Sequence, residues 1–226
     1  MSAGVVVLLV GAGVAALANW WAVGDPATAR KHRLEQWAKP ITMGLLVGVA
    51  ATAGSPDDGV RVALVIGAVL GLVGDVALLG DSEPRFLVGL GAFALGHLAY
   101  AVAAVQVDVT PWALVGAAFM VALLAFRFVS RILPGARREG GGAMAGAVVF
   151  YGVVISLMVI AAWGMFTTAS PAWLAAVGAM LFAISDWVLG HRKFAGPLPV
   201  GRLGVMVPYH LGQALLILGV ALASGR

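Results

Sequence analysis

The chain has 226 residues, of which 62% are hydrophobic and only 11% are charged. Soluble domains carry about 25% charged residues. The mean hydropathy of +1.01 and the repeated apolar runs of about 18 residues or more therefore indicate a membrane protein with several spans. No polar stretch is long enough to form a soluble domain. The chain contains no cysteine, which excludes disulfides and thiolate metal sites.

The apolar segments predict an all-α fold with eight transmembrane helices in one transmembrane domain, residues 1–226. The second helix is expected to be short and to begin at Lys39 and Pro40, because a proline at a helix start lacks only an N–H that would be unpaired there. The predicted helices cover residues 4–22, 39–54, 61–79, 86–105, 112–130, 143–163, 172–190 and 204–223.

The basic residues predict the orientation of the chain in the membrane. The first, third, fifth and seventh loops, with the adjoining helix ends, hold all but two of the 14 basic residues. The opposite side holds only Arg61 and Arg226. Because basic loops stay in the cytoplasm, both termini are predicted to be non-cytoplasmic, and the positive charge needs no nucleic acid partner. The cytoplasmic set is Arg30, Lys31, Arg33, Lys39, Arg85, Arg127, Arg131, Arg137, Arg138, Arg192, Lys193 and Arg202.

A weak internal repeat is visible in the spacing of ionisable residues. The separation of Asp75 from Asp186 is nearly the same as that of His97 from His210. Helices 1–4 would then correspond to helices 5–8. Since four helices return the chain to its starting side, the halves would be parallel repeats related by an axis along the membrane normal.

Two acids lie within predicted spans, where an ionisable side chain is costly and usually functional. Asp75 and Asp186 each lie about 7 Å from the cytoplasmic end of a helix, given the helical rise. His97 and Tyr100 are expected deeper, near the midplane. These positions predict one polar cavity that opens to the cytoplasmic leaflet. Further polar residues in the cytoplasmic halves of helices are Asn19, Lys39, Tyr151, Tyr209, His210 and Gln213.

Each polar residue also has a purely structural interpretation. A single aspartate near a helix end can extend to water. Two acids at matched depth favour a functional interpretation over this structural one. His97 and Tyr100 could form a hydrogen-bonded pair between helices without any chemistry. Tyr209 and Gln213, one helical turn apart, could likewise only join helices.

Several short motifs resemble one known family. Lys39-Pro40-Ile41-Thr42 opens helix 2, Gly74-Asp75 lies near the end of helix 3, and Phe86-x2-Gly89-x3-Phe93-x3-His97-x2-Tyr100 forms helix 4. Helix 6 contributes Tyr151. Helix 7 contributes Phe182-x2-Ser185-Asp186, and helix 8 contributes Tyr209-x3-Gln213. Together, over nearly the whole chain, these motifs resemble the lysoplasmalogenase-like (YhhN) family of integral membrane proteins.

The resemblance implies a membrane hydrolase that cleaves the vinyl ether of lysoplasmalogens to a fatty aldehyde and a glycerophospho-base, without a cofactor. It implies that Asp75 and Asp186 are the catalytic pair. His210 departs from the family, which is expected to have an aromatic residue there more often. The residues implied to bind substrate or support the acids are Lys39, His97, Tyr100, Tyr151, Ser185, Tyr209, His210 and Gln213.

The two acids suit this chemistry. Vinyl-ether hydrolysis begins with protonation of the alkene carbon, which gives an oxocarbenium ion to which water adds. It needs a general acid, a negative group and a positioned water, as in glycoside hydrolysis, where one carboxyl is protonated and its partner is ionised. Either Asp75 or Asp186 could be the acid.

The expected partners are the lipid bilayer and a lysophospholipid whose phosphate lies at the cytoplasmic rim. We expect an integral protein of a bacterial plasma membrane, with its active site toward the cytoplasmic leaflet. The candidate residues for binding this phosphate at the cytoplasmic rim are Lys39, Arg85, Arg192, Lys193 and Arg202.

Two other functions remain open at this point. A zinc hydrolase could use Asp75, His97, Asp186 and His210, which are zinc ligand types, although His97 is expected to lie deeper than either acid. A proton-coupled transporter could use the same residues as a relay.

Overall fold

The structure is a computed structural model that describes residues 1–24, 29–54, 57–107, 109–166 and 171–224. These residues form eight α-helices and contain no strand, which confirms the all-α class. A π-helical turn, Phe128–Ile132, connects the fifth helix to the sixth. The helices are α1 (Ala3–Gly24), α2 (Ala29–Thr52), α3 (Asp58–Ala77), α4 (Glu83–Val107), α5 (Pro111–Arg127), α6 (Leu133–Gly164), α7 (Trp173–Phe194) and α8 (Leu203–Ala223).

The outer surface of the described helices is apolar, as a bilayer requires. Six segments are long and apolar enough to cross a membrane, namely α1, α3, α4, α7, α8 and the continuous stretch Ala125–Gly164. Val7 and Phe126 are each 70% exposed. Water would penalise so many exposed apolar side chains, whereas lipid does not. The chain is therefore an integral membrane protein. Arg226, counted above for orientation, lies outside the described residues.

The predicted start of the second helix is wrong, because α2 begins at Ala29 and Pro40 lies inside it. Pro40 cannot donate a hydrogen bond to the carbonyl of Gln36. A packed membrane helix tolerates such a gap, since neighbouring groups satisfy the freed carbonyl, and the charged residues before Pro40 continue the helix. Lys39 consequently lies within a helix and is only 4% exposed.

The sixth helix also starts earlier than predicted, at Leu133 rather than near residue 143. It is interrupted at Gly140 and Gly141, where the backbone is not helical and φ of Gly141 is +64°. Only glycine adopts such a φ without strain. The predicted span 143–163 corresponds to the part of α6 that follows this break. The bounds of the remaining helices lie within a few residues of the predicted ones.

Helix α8 forms the centre of the bundle. It packs against α1, α2, α3, α4 and α7, and it is the most deeply buried of the membrane-crossing segments. Helix α3 packs extensively on α4, as α7 does on α8, and α4 also contacts α6. This arrangement brings α3, which carries Asp75, and α7, which carries Asp186, to two sides of α8.

The contact between α7 and α8 depends on glycines. A Cβ atom at Gly178 would lie 2.3 Å from the backbone nitrogen of Leu216, and one at Gly212 would lie 2.8 Å from that of Phe182. The two backbones therefore touch directly, as small residues allow in membrane helices. This close approach fixes the position of Asp186 relative to α8.

Replacing Gly178 with alanine should destabilise the protein by about 1–3 kcal/mol or more, because the methyl group would overlap backbone atoms that cannot move independently. Thermal unfolding of the purified protein in detergent measures the effect. Gly146→Ala is the matched control on α6, since nothing lies within 4 Å of a Cβ there. An equal loss of stability in both variants would contradict the backbone contact.

Candidate functional site

Asp75 forms a buried ion pair with Lys39. The Nζ atom of Lys39 on α2 lies 3.2 Å from Oδ1 of Asp75, and the two side chains are 5% and 1% exposed. The same ammonium group lies 3.5 Å from the backbone oxygen of Asp75. Such a pair stays buried only because each charge compensates the other. The ion pair joins α2 to α3 at Asp75.

A glycine stripe on α3 makes room for side chains around Asp75. A Cβ at Gly67 would lie 2.5 Å from the ring of Tyr100, and one at Gly74 would lie 2.6 Å from the ring of Phe93. Gly71 faces Nε2 of Gln213 in the same way, at 2.9 Å. Side chains from α4 and α8 therefore fill the space along this face of α3.

Two residues of α4 and α8 are joined beside this stripe. The hydroxyl of Tyr100 donates a 2.7 Å hydrogen bond to Oε1 of Gln213. The hydroxyl of Tyr209 on α8 adjoins the Asp75 carboxylate. Tyr100, Tyr209 and Gln213 are thus grouped with Asp75 and Lys39, and we call this group the Asp75 cluster.

Asp186 lies in a second polar cluster, with His97 of α4 and Tyr151 of α6. The Tyr151 hydroxyl donates a short hydrogen bond to Oδ2 of Asp186. Nε2 of His97 lies 2.9 Å from that hydroxyl and 3.4 Å from Oδ2. These three residues form what we call the Asp186 cluster. His97, which the sequence predicts to lie deeper than either acid, contacts Asp186.

The geometry of the Asp186 cluster also defines the histidine tautomer. The Tyr151 hydroxyl has one proton, and the carboxylate accepts it. His97 must then use a protonated Nε2 as a donor toward the tyrosine oxygen and the carboxylate. Its Nδ1 is buried and has no hydrogen-bond partner among the described residues, so a second proton there would be unsatisfied. In this arrangement His97 orients both neighbours.

A group of aromatic rings contacts both clusters. Phe93, Phe182 and Tyr209 meet edge to face, with centroid separations of 5.3–6.1 Å. Phe182 also packs at 4.7 Å on the ring of His97. Tyr209 adjoins Asp75, so the three rings bridge the space between the two acids.

The sequence predicts one cavity shared by the two acids, whereas the two cavities beside Asp186 do not extend to Asp75. Two cavities, of about 50 and 400 Å³, are both lined by Asp186 and Tyr151, and Asp75 lines neither of them. The rings of Phe93 and Tyr209 occupy the space next to Asp75, and Lys39 compensates its charge. Asp186, with a side chain 14% exposed, is the acid that a ligand can reach.

The other predicted residues have contacts away from the two acids. Ser185 donates a 2.9 Å hydrogen bond to the backbone oxygen of Val205, which ties α7 to α8. His210 accepts a 3.0 Å hydrogen bond at Nδ1 from the indole of Trp20. Trp20 was missed as a partner because a tryptophan at a span end is usually an interfacial anchor. The neighbouring Asn19, which is fully buried, is the sequence signal that the end of α1 faces protein.

The rim cations differ in what they contact. Arg85 donates to the backbone oxygens of Val76 and Ala77 and so ends α3. Arg202 pairs with Glu35, a residue that sequence reasoning missed. Lys193 pairs with Glu139 at 2.9 Å and lies over the rings of Phe86 and Phe194.

Metal binding has no support in the described part of the chain. No three histidine, aspartate or glutamate side chains converge there as metal ligands. His97 does meet Asp186, but Asp75 is paired with Lys39 and His210 with Trp20.

Comparisons with known proteins extend across most of the chain. The human lysoplasmalogenase TMEM86B is 31% identical over 165 residues, which cover 73% of this chain and 66% of that protein. The bovine lysoplasmalogenase TMEM86A is 29% identical over 69% of this chain and 63% of that protein. The chain thus spans just under two thirds of the length of these relatives. No solved structure is significantly similar to it. Residues 34–220 match the YhhN family, and the chain belongs to that family.

Proposed function

We propose that this protein is a membrane hydrolase that cleaves the vinyl ether of lysoplasmalogens. The observation that carries the proposal is Asp186, a carboxyl that is held by Tyr151 and His97 and lines two cavities inside a helix bundle. Placing a carboxyl at membrane depth costs free energy, so its presence there indicates a function. The relatives named lysoplasmalogenases support the substrate class.

The proposed topology has eight spans, with both termini non-cytoplasmic and the acids toward the cytoplasmic leaflet of a bacterial plasma membrane. The two helices that complete the count are α2, whose first half is charged, and α5, which has 17 residues. The packing favours a repeat as well. The pairs α3–α4 and α7–α8 correspond, and so do the contacts of α4 with α6 and of α8 with α2. We propose that all eight helices form one domain.

In the proposed reaction, Asp186 acts first as an acid. Its protonated carboxyl gives the proton to the alkene carbon that is one bond removed from the ether-bearing carbon, which leaves an oxocarbenium ion. Water adds to the ether-bearing carbon, and the Asp186 carboxylate accepts the proton that the water loses. The hemiacetal then breaks to a fatty aldehyde and a free glycerol hydroxyl. One water is consumed, no cofactor is needed, and the Asp186 carboxyl is regenerated.

Asp75 supplies the negative end of a fixed ion pair in this proposal. Its ion pair with Lys39 holds the carboxyl in position behind the ring of Tyr209. In a medium of low dielectric, a preorganised charge near a developing cation lowers the barrier without reorganising. Asp186 therefore transfers the protons, and Asp75 stabilises the oxocarbenium ion through space.

Release of aldehyde from a purified lysoplasmalogen tests the proposal. We expect turnover of the 1-alkenyl lipid, whereas the saturated 1-alkyl ether, which has no alkene to protonate, should give no aldehyde. Aldehyde can be trapped as a hydrazone and quantified by mass spectrometry. Absence of aldehyde across ethanolamine and choline head groups would contradict the function.

Proton-coupled transport is the second candidate, and two prolines favour it. Pro40 lies inside α2 next to Lys39, and Pro208 lies inside α8 next to Tyr209. Interrupted helices beside an acid are typical of transporters. Proton flux into liposomes without turnover of any lysolipid would favour this function over hydrolysis.

A further inference from the structure

The two cavities share lining residues of the Asp186 cluster. Asp186, Tyr151 and Phe128 line both of them. The smaller cavity, of about 50 Å³, also contacts Phe86 and Phe194. The larger one, of about 400 Å³, lies among α5, α6 and α7. A ligand that occupied both would pass directly beside the Asp186 carboxyl.

A cation lies against two residues that line the smaller cavity. Nζ of Lys193 is 4.7 Å from the ring centroid of Phe86 and 5.5 Å from that of Phe194, two of the lining residues. Lys193 follows Asp186 by two turns of α7, which corresponds to about 10 Å along the helix axis. That separation suits the glycerol phosphate segment of an extended lysolipid.

The larger cavity is lined almost entirely by apolar side chains. Val149, Val153 and Leu157 of α6 and Val129 after α5 border it, and each of these side chains is exposed on the outer surface of the helices. Because that surface faces hydrocarbon in the membrane, a lipid chain can enter the cavity from the side. Asp186, Tyr151 and Ser156 are polar residues of its lining.

We propose that the two cavities form one lysophospholipid site, with the phosphate at Lys193 and the alkenyl chain between α5, α6 and α7. The order of chemical groups along the ligand carries the assignment. Phosphate, glycerol, vinyl ether and hydrocarbon chain follow one another in the same order as Lys193, the smaller cavity, Asp186 and the larger cavity. This assignment rests on the proposed function and adds where each part of the substrate binds.

Glu139 competes with the phosphate in this arrangement. Its carboxylate already pairs with Lys193 at 2.9 Å. A phosphate at Lys193 would replace one anion by another, so the Lys193 ammonium keeps a partner throughout. Glu139 precedes the break in α6 at Gly140 and Gly141, where the backbone can change direction without disturbing the membrane part of the helix.

A variant that fills the larger cavity tests where the alkenyl chain of the substrate binds. The Cβ position of Gly152 lies 3.5–3.7 Å from the ring of Phe128, so a leucine there starts without overlap and extends into the cavity. Gly152→Leu should reduce kcat/KM for a hexadecenyl lysoplasmalogen about tenfold or more, and a decenyl substrate should lose much less. Gly146→Leu on the same helix, at an open position, should change neither. Equal losses for both chain lengths in a folded Gly152→Leu protein would overturn the assignment.

Photolabelling of the wild-type protein needs neither turnover nor a variant. A saturated 1-alkyl lysophospholipid with a diazirine near the chain end should label the cavity segments 121–129 and 149–159. Labelling confined to other helices would overturn the assignment. Correct labelling without any lysoplasmalogen turnover would keep the binding site and reject the proposed reaction.

The phosphate position is tested by comparing ligands with and without it. Lys193→Gln should weaken binding of the 1-alkyl lysophospholipid about tenfold, as expected for the loss of a charge-assisted contact, and should leave 1-alkylglycerol binding unchanged. Glu139→Gln should strengthen phospholipid binding. Arg138→Gln, an exposed site on the same segment, is the charge-matched control. Equal effects of Lys193→Gln on both ligands, or of Arg138→Gln and Lys193→Gln, would overturn the phosphate assignment.

Discussion

Replacing Asp186 with asparagine should reduce aldehyde release by about 10²–10⁴-fold, the usual contribution of a general acid. Asparagine has nearly the same shape and its Oδ1 can still accept from Tyr151, so the cluster should remain assembled. The amide cannot give a proton to an alkene carbon. Release of aldehyde from a hexadecenyl lysoplasmalogen measures the effect.

Two controls separate this loss from misfolding and from a general effect of charge. The Asp186→Asn protein should bind the saturated 1-alkyl lysophospholipid about as well as wild type and unfold at a similar temperature. Asp58→Asn removes a carboxyl that is 88% exposed and pairs with Arg61, and it should leave turnover unchanged. Activity within tenfold of wild type in Asp186→Asn would exclude Asp186 as the acid.

The sequence predicts the fold class and the positions of the acids because both depend on local chemistry. Apolar runs require helices in lipid, where backbone groups must be satisfied within the segment. A carboxyl among apolar residues is conspicuous for the same energetic reason. Asp75 and Asp186 therefore stand out without any knowledge of how the helices pack.

The partners of these acids could not be predicted, because they come from helices distant in the sequence. His97 and Tyr100 lie three residues apart, and the sequence predicts both near the midplane. Three residues place side chains about a sixth of a turn apart. That difference directs His97 to Tyr151 of α6 and Tyr100 to Gln213 of α8.

Side-chain volume explains why Asp75 does not line the two cavities beside Asp186. The positions of Phe93, Phe182 and Tyr209 are visible in the sequence, but their meeting point is not. Three rings in mutual contact fill the region that polar residues at matched depth were expected to leave open. The sequence gives the depth of a residue along its helix, but the position of a cavity also depends on how the helices pack side by side.

The ion pair between Lys39 and Asp75 leads to the largest expected change in stability. Lys39→Met or Asp75→Asn alone should cost roughly 3–5 kcal/mol, because each leaves a buried charge without its partner. The double variant removes both charges and should have a free energy of unfolding close to that of wild type, or higher. Denaturation in mixed micelles measures the free energy of unfolding of the wild type, the two single variants and the double variant.

The pair of Lys193 and Glu139 provides the matched comparison. Its side chains are 24% and 46% exposed, and an exposed pair contributes only about 0–1 kcal/mol. A double-variant cycle on Lys193→Gln and Glu139→Gln should therefore show little coupling. Additive losses in the Lys39 and Asp75 cycle, without recovery in the double variant, would contradict a buried ion pair.

Turnover by the Lys39→Met, Asp75→Asn protein separates the two roles of Asp75. If the double variant is stable but releases no aldehyde, the negative charge of Asp75 is required for the reaction and not only for joining α2 to α3. If it is stable and active, Asp75 is structural and Asp186 alone carries the proton transfers. We expect the first result, because Asp75 adjoins Tyr209, whose ring packs against Phe182, and Phe182 packs on His97. A fixed charge so placed stabilises an oxocarbenium ion.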